Sequence, residues 1–314
     1  MERARAVIDR FRRRPRLAVV LGGGGTRGAY EVGVIEALSE SGVIPDVLVG
    51  TSVGAINAAY WAFHPEPGVG QALLEMWLAA KRSVVVPGRN LSLLRRLLRG
   101  ENLVSERGLR QLVRRGVAPG TQVEQSRIPL VITATDSENG HPVRIRTGDL
   151  EAALLASAAV PGLFAPVSFE DRRLIDGGLV ANCDLQAAVD EGATDILAVD
   201  LMGHGRIEGR DDILAAVERA LGLSLARQTD LAVAAARREA RVALLRLSPP
   251  AIPRFGRFEA TRDLFELGRA NALELLRSAS PVLRLPLLRE RGDPLLSVLA
   301  DEDARDRLAL DRQP

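Results

Sequence analysis

Residues 50 to 54 read Gly-Thr-Ser-Val-Gly, a G-x-S-x-G pentapeptide between an apolar strand-like run and a helix-like run of small residues. A strand that enters a helix through so tight a turn holds the serine in a strained conformation with its Oγ projecting. Gly50 and Gly54 flank the turn because a Cβ at either place would collide with neighbouring backbone. The pattern therefore predicts that Ser52 is a nucleophile.

A glycine-rich loop precedes this turn and supplies a second chemical element. A serine hydroxyl attacks a carbonyl effectively only when a base takes its proton and a pocket stabilises the oxyanion that forms. Consecutive glycines between a strand and a helix let backbone N–H groups point at one spot, and the helix dipole adds positive charge there. We expect the loop and the serine to open on the carboxyl edge of one parallel sheet. The glycines are Gly22, Gly23, Gly24, Gly25 and Gly28.

The same loop has a competing interpretation. Gly23, Gly25 and Gly28 also spell the dinucleotide fingerprint G-x-G-x-x-G, after a strand and before a helix. A dinucleotide fold needs an acid at the end of the next strand for the ribose hydroxyl, and here that strand ends on the serine turn. A P-loop fits less well, because no Lys-Ser or Lys-Thr pair closes the glycine run. Nucleotide binding is therefore the less favoured alternative.

The general base has a histidine candidate and an aspartate candidate. The chain has three histidines, and His64 and His141 are predicted to lie at the surface. The order Ser52, Asp176, His204 satisfies the triad order of the α/β-hydrolase fold, but there the serine turn follows more strands than the two that precede it here. The histidine-based triad is therefore the weaker alternative.

Asp176 is the stronger candidate because it ends a short apolar strand. Gly177 and Gly178 follow it, which brings backbone close and leaves the carboxylate at the strand tip. An ordinary aspartate, with a pKa of about 3.9, is a weak base at neutral pH, and partial burial would raise that pKa. Direct contact with the serine Oγ would let the carboxylate accept the proton without an intermediary. The alternative is a turn aspartate that caps the loop.

The composition favours one α/β domain. The chain has 314 residues, 46% of them hydrophobic, and strand-like runs alternate with helix-like runs. We expect a basic arm at 1–15, the main domain at 16–280 with helices at 68–120 as a wall or lid, and a tail at 281–314. The net charge of +2 gives no case for nucleic-acid binding. Cys183 is the only cysteine, which excludes an intrachain disulfide and a metal site built from thiolates.

Basic segments raise the question of membrane contact. Lys81 is the only lysine, so the positive charge is almost all arginine, which suits phosphate headgroups or reflects a coding bias. The arm could rest on an anionic membrane or be a solvated terminus. The amphipathic stretch Leu91 to Arg99 could meet lipid or face the core. The chain has no signal-peptide h-region and no run of eighteen apolar residues, which predicts a cytoplasmic protein, at most peripheral to a membrane.

The apolar pattern also predicts the order of the elements. Strands are predicted at Leu17 to Leu21, Val47 to Val49, Ile128 to Ala134, Val143 to Arg146, Arg173 to Ile175, Asp195 to Leu201 and Val242 to Leu247. Helices are predicted from residue 29 to Gly42, at Val53 to Phe63, Leu150 to Val160, Leu185 to Glu191, Asp211 to Arg241 with a break near Gly222, and Phe258 to Ser278. The turn at 138–140 makes the third and fourth strands a hairpin.

Together these motifs resemble the patatin-like phospholipase family. The resemblance rests on the glycine-rich loop at 22–28, the G-x-S-x-G turn and the Asp176-Gly177-Gly178 tripeptide. Residues 156–167 (ASAAVPGLFAPV) and 132–136 (ITATD) are similar to further blocks of the family, and the likeness runs from about residue 16 to 280. The chain departs from the family pattern at Asn182-Cys183-Asp184, where proline often follows an Asn-x, and at Ala165, where proline is common.

The resemblance implies a three-layer α/β/α sandwich with a mainly parallel central sheet. It also implies a Ser-Asp dyad in which Ser52 attacks an acyl ester and Asp176 is the base, while the backbone of Gly23, Gly24, Gly25 and Arg27 holds the oxyanion. The implied substrates are phospholipids, lysophospholipids or related acyl esters, and no metal or cofactor is needed. An acyltransferase that uses the same serine and a catalytically idle lipid-binding module are the alternatives.

Overall fold

The computed structural model describes residues 15–80, 106–203, 206–207, 213–248, 251–252 and 258–278. Almost all of the basic arm, the stretch Leu91 to Arg99, His204 and the tail at 281–314 lie outside these residues. The sequence predictions made for them therefore stay predictions.

A mainly parallel sheet forms the centre of the described structure. Its strands are β1 Leu17–Leu21, β2 Val47–Thr51, β3 Leu130–Asp136, β4 Pro142–Ile145, β5 Val167–Phe169, β6 Arg172–Asp176, β7 Asp195–Asp200 and β9 Arg241–Arg246. Hydrogen-bonded pairs connect them along the path β5-β6-β3-β2-β1-β7-β9, and β4 also pairs with β3. Strands β3, β2, β1, β7 and β9 are parallel to one another, whereas β4 and β6 are antiparallel to β3 and β5 is antiparallel to β6. A separate two-stranded pair joins β8 Arg206–Ile207 to β10 Ala251–Ile252.

The central strands are buried on both faces. In β1, Leu17, Val19 and Leu21 belong to one apolar cluster, whereas Ala18 and Val20 belong to a second. Because side chains alternate across a strand, these two clusters lie on opposite faces of the sheet. Helices cover each face, so the three-layer α/β/α fold with a mainly parallel sheet is confirmed.

The helices divide between the two faces. Those that contribute to the first cluster are α1 Ala29–Glu40, α2 Val53–Phe63, α3 Val69–Ala80, α4 Glu106–Gly116, α5 Leu150–Ser157 and α9 Thr261–Arg277. The second cluster takes side chains from α7 Leu185–Asp190 and α8 Ile213–Ala236. The short helix α6 Gly178–Ala181 follows β6. Helices α3 and α4, from the region predicted to form a helical wall or lid, therefore contribute to the core.

Strand β3 brings the ends of strands β2 and β6 together. Thr51 at the end of β2 pairs with Thr133, and Asp176 at the end of β6 pairs with Ala134. Strand β4 pairs with residues 132–135 and so occupies the other edge of β3. Strands β2 and β6 consequently lie along the same edge of β3, run toward each other and end one β3 residue apart.

Several predicted boundaries need correction. Helix α8 runs without a break through Gly222, because one glycine weakens a long helix that packs on a sheet but does not end it. Helix α5 ends at Ser157 rather than Val160, and α9 begins at Thr261 rather than Phe258. Strand β5 was not predicted, since three residues are too short for a periodic signal.

Glycines let α1 and α9 cross closely, and this gives a stability prediction. A Cβ at Gly268 would lie 1.9 Å from the backbone oxygen of Tyr30, and a Cβ at Gly33 would lie 1.9 Å from that of Phe265. Gly268→Ala should therefore cost about 2 kcal/mol or more of unfolding free energy, since both backbones must separate. Gly222→Ala, at a helical glycine with no neighbouring atom within 4 Å, should be neutral or stabilise by up to about 1 kcal/mol. Denaturant unfolding measures both, and equal effects would contradict this account of the crossing.

Candidate active site

The turn between β2 and α2 has the strained geometry expected from the pentapeptide. Ser52 has φ 56° and ψ −122°, one of two described non-glycine residues with positive φ. A Cβ at Gly50 would lie 2.5 Å from Ala55 Cα, and one at Gly54 would lie 2.3 Å from the Leu21 backbone oxygen. Both glycines are therefore required by close backbone approach. Such backbone strain costs about 1–3 kcal/mol and persists only where the surroundings hold it.

Asp176 lies against this serine. The Ser52 hydroxyl donates a hydrogen bond of 2.6 Å to Asp176 Oδ2, and the two residues are 8% and 6% exposed. The other carboxylate oxygen, Oδ1, accepts the Gly178 N–H at 2.7 Å. Gly177 is required here because a Cβ would lie 2.2 Å from the Thr133 backbone oxygen. The D-G-G tripeptide thus fixes one oxygen of the carboxylate and leaves the other directed at Ser52.

The electrostatic environment of Asp176 differs from that of the buried acids that pair with arginine. Burial raises the pKa of Asp176 to about 6, and the hydrogen bonds from Ser52 and Gly178 act in the opposite direction. Within the described residues Asp176 forms no ion pair, whereas Glu218 pairs with Arg27 and Asp184 with Arg144. A carboxylate that has no cation beside it and a pKa of about 6 is mostly ionised at pH 7, yet it is a stronger base than an ordinary aspartate.

The glycine-rich loop lies beside the serine. A Cβ at Gly23 would lie 3.2 Å from Ser52 Cβ, so the loop backbone approaches Ser52 closely. Gly23 N–H donates to Asn182 O at 3.2 Å, and Arg27 N–H donates to Gly24 O at 3.2 Å. Among the described residues, the N–H groups of Gly24 and Gly25 have no acceptor. Gly25 is exposed and has φ 57°, a conformation that favours glycine.

The side chain of Arg27 turns away from the loop opening into the protein. It is 3% exposed, and its Nη2 donates to Glu218 Oε1 on α8 at 2.6 Å. Burial lowers the pKa of Arg27 to about 10, and the charge of Glu218 and its hydrogen bond act in the opposite direction. This buried ion pair ties the loop to α8, across 191 residues of sequence. The sequence carries no local signal for Glu218.

The structure brings some of the candidate base residues to the site and not others. Both His64 and His141 are exposed, as predicted. His204 lies outside the described residues, so the histidine-based triad is not addressed by the geometry. In the part of the chain that is described, no three His, Cys, Asp or Glu side chains group as a metal site would require.

A comparison with protein families identifies the group to which this chain is related. The model of the patatin-like phospholipase family matches residues 19–189, more than half of the 314-residue chain. The matched segment contains the glycine-rich loop, Ser52 and Asp176.

The chain belongs to the patatin-like phospholipase family. It is 31% identical to the uncharacterized NTE family protein Rv1063c of Mycobacterium tuberculosis over 208 residues, 63% of this chain and 52% of the relative. It is 30% identical to lysophospholipase nte1 of Aspergillus terreus over 188 residues, 59% of this chain and 12% of the relative. The chain thus spans about half or less of the length of these curated relatives.

Two solved structures are similar at low identity. VipD from Legionella pneumophila is 16% identical with a TM-score of 0.43, covering 84% of this chain and 67% of that chain. ExoU in its complex with SpcU, from Pseudomonas aeruginosa, is 20% identical with a TM-score of 0.41, covering 84% of this chain and 52% of that chain.

The departure from the usual patatin-like pattern at residues 182–184 has a local structural role. The Asn182 side chain is 1% exposed and donates from Nδ2 to Gly23 O at 3.4 Å. Cys183 is buried, and burial raises the pKa of its thiol well above the usual range. Asp184 accepts hydrogen bonds from Arg144 and from the Thr133 hydroxyl. All three residues are held by buried contacts without the proline.

Helices α3 and α4 border a small apolar void with room for about one water molecule. Met76 of α3 and Leu112 of α4 line it together with Ile56 of α2 and Leu154 of α5. Ile56 lies one helical turn after Ser52. Among the described helices, none has both the length and the apolar character needed to span a bilayer.

The unpaired Asp176 gives a stability prediction. Its folded-state pKa of about 6 lies above the unfolded value of 3.8, so stability falls as the pH rises from 3.8 through 6. Asp176→Asn should therefore raise the unfolding free energy at pH 8 by about 1–3 kcal/mol, and the gain should shrink at pH 4.5. Denaturant unfolding at the two pH values measures this.

Asp184→Asn is the matched control for this measurement. Asp184 is also buried, but it pairs with Arg144 at 2.8 Å. Removing its charge leaves Arg144 with only the exposed Asp190 as a partner among the described residues, and should lower stability at pH 8. A loss of stability at pH 8 in Asp176→Asn would contradict the account of Asp176.

Proposed function

We propose that this protein is a serine acyl hydrolase that cleaves fatty-acyl esters of phospholipids or lysophospholipids through a Ser52–Asp176 dyad. The observation that carries the proposal is the 2.6 Å hydrogen bond from Ser52 Oγ to Asp176 Oδ2, on the strained serine turn. Membership of the patatin-like phospholipase family and the similarity to lysophospholipase nte1 support the lipid ester as substrate class. Residues 16–280 would form the catalytic domain.

The proposed reaction has two steps. Asp176 accepts the Ser52 hydroxyl proton while Oγ attacks the ester carbonyl, and the tetrahedral oxyanion collapses as the C–O bond to the alcohol breaks. The protonated Asp176 gives its proton to the leaving alkoxide. Water then attacks the acyl-enzyme with Asp176 as base, which releases the fatty acid and restores the serine.

The donors best suited to stabilise the oxyanion are N–H groups that have no acceptor among the described residues. Gly24 and Gly25 supply two such donors, since those of Gly23 and Arg27 already donate within the described structure. The Val53 N–H, at the start of α2, has no acceptor within the described residues and adds a donor at a helix N-terminus. The Asn182 backbone oxygen accepts the Gly23 N–H, and the Asn182 side chain donates to the Gly23 oxygen. The second contact orients the peptide group that carries the Gly24 N–H.

The acyl chain would enter along the helices of region 68–120. Met76 and Leu112 are apolar and buried around a void with room for about one water molecule, so a chain would enter there only if α3 and α4 moved apart. An apolar lining of this kind favours a hydrocarbon substituent over a polar acyl group. The expected peripheral membrane contact and cytoplasmic location belong to this same proposal.

Mutation of the dyad tests the chemistry. Ser52→Ala and Asp176→Ala should each lower kcat/KM for a nitrophenyl ester and for a lysophospholipid by about 10³-fold or more, because neither partner acts without the other. His204→Ala should keep wild-type activity. Full activity in Asp176→Ala with loss in His204→Ala would overturn the dyad. If the wild type were no more active than Ser52→Ala but still bound vesicles, the protein would instead be an idle lipid-binding module.

The pH dependence provides a separate test of the base. Asp176 must be ionised to accept the proton, so kcat/KM should fall tenfold per pH unit below about 6 and level off above it. Steady-state rates between pH 4.5 and 8.5 measure this profile. If the residual activity of Asp176→Ala still fell with decreasing pH below about 6, the titrating group would be another residue.

A separate product analysis distinguishes transfer from hydrolysis. Lysolipid or alcohol added as an acceptor in the same assay would be acylated by a transferase, whereas a hydrolase would release free fatty acid.

A further inference from the structure

Ser157 lies between the nucleophile and the segment that carries the base. It ends α5, is fully buried and has 0% exposure. Its Oγ accepts the Ser52 N–H at 2.8 Å and donates to the Thr133 backbone oxygen at 2.7 Å. A backbone N–H only donates and a carbonyl only accepts, so these partners fix the direction of the Ser157 hydroxyl proton.

The backbone around Ser157 also supports the other half of the site. The Ser157 carbonyl oxygen accepts the Gly177 N–H at 3.3 Å, and the Ala159 oxygen accepts the Asp176 N–H at 3.0 Å. One short segment at the end of α5 therefore contacts the backbone on both sides of the 2.6 Å Ser52–Asp176 hydrogen bond. Neither contact requires the reactive side chains themselves.

We propose that Ser157 is a positioning residue for the hydrolase reaction, whose hydroxyl holds the strained Ser52 backbone in register with Asp176. The positive φ of Ser52 persists only if surrounding groups hold it, and the Ser157 hydroxyl is the acceptor for its N–H. Without that acceptor, the buried N–H is unsatisfied and the turn can relax. A misplacement of Oγ by about 1 Å can cost about 10²-fold in rate. This inference rests on the proposed hydrolase function.

Three substitutions separate hydrogen bonding from packing. Ser157→Ala removes the hydroxyl, Ser157→Cys keeps the volume but weakens both hydrogen bonds, and Ser157→Thr keeps the hydroxyl. We expect kcat for the nitrophenyl ester to fall about 10- to 100-fold in the alanine and cysteine variants, with KM within about threefold of wild type. The threonine variant should recover most of the loss seen in the alanine variant.

Thr194→Ala is the matched control. The Thr194 hydroxyl likewise accepts a backbone N–H, from Arg16 at 2.9 Å, and donates to Asp195 Oδ2 at 2.7 Å. Thr194 lies where β1 and β7 begin, at the opposite end of the strands from Ser52. The Thr194→Ala variant should lower the melting temperature, as Ser157→Ala does, but leave kcat unchanged.

Amide hydrogen exchange at Ser52 gives a readout that does not depend on turnover. Exchange should be faster in the alanine and cysteine variants of Ser157 than in wild type or Thr194→Ala. Unchanged exchange and unchanged kcat in both Ser157 variants, or equal losses of kcat in Ser157→Ala and Thr194→Ala, would overturn the positioning role. A wild type no more active than Ser52→Ala would refute the hydrolase proposal itself, and the exchange data would then decide whether Ser157 holds the turn.

Discussion

The arrangement of the site depends on one edge of strand β3. That edge pairs first with β2 and then, running in the opposite direction, with β6. Because Thr133 and Ala134 are adjacent, the residue after β2 and the last residue of β6 must meet. The Ser52–Asp176 contact is therefore fixed by backbone register, over 124 residues of sequence, rather than by the side chains alone. A one-residue slip of either strand would turn its side chains to the opposite face of the sheet.

The glycines and the buried hydroxyls allow the ends of β2 and β6 to approach each other closely. Gly54 and Gly177 sit where a Cβ would lie within 2.3 Å of the Leu21 and Thr133 oxygens, so larger residues would separate the elements that carry the dyad. Hydroxyls then fill the hydrogen-bonding needs of the crossing. Thr135 Oγ1 donates to the Asp176 backbone oxygen, and Ser157 joins the serine turn to β3. The close backbone approach and the filled hydrogen bonds are both needed, since the loss of either would move Ser52 Oγ.

The sequence predicted the parts of the site that depend on local rules. The serine turn, the glycine loop and the D-G-G tripeptide each join adjacent residues, and backbone sterics constrain which residues fit there. Strand β1 was predicted with its observed bounds because its apolar run is unbroken, and helix α2 because nearly all of its residues are small or apolar. The supporting contacts could not be predicted in this way. Ser157 meets Ser52 across 105 residues and Glu218 meets Arg27 across 191, and each is one polar residue in an otherwise ordinary helix. Strand β5 forms only because β6 offers it an edge.

In the proposed mechanism a carboxylate does the work usually given to histidine, and among the described residues no cation pairs with Asp176. Two buried acids nearby do have arginine partners, Asp200 in Arg246 and Asp184 in Arg144, whereas the buried Glu31 has none among the described residues. A cation beside Asp176 would stabilise its charged form, lower its pKa and weaken it as a base. Its burial without a cation raises the pKa to about 6, close to that of an ordinary imidazole. The electrostatic cost falls on folding stability. In the proposed dyad, the basicity of Asp176 therefore depends on its burial, with no described cation beside it, as much as on the hydroxyl that touches it.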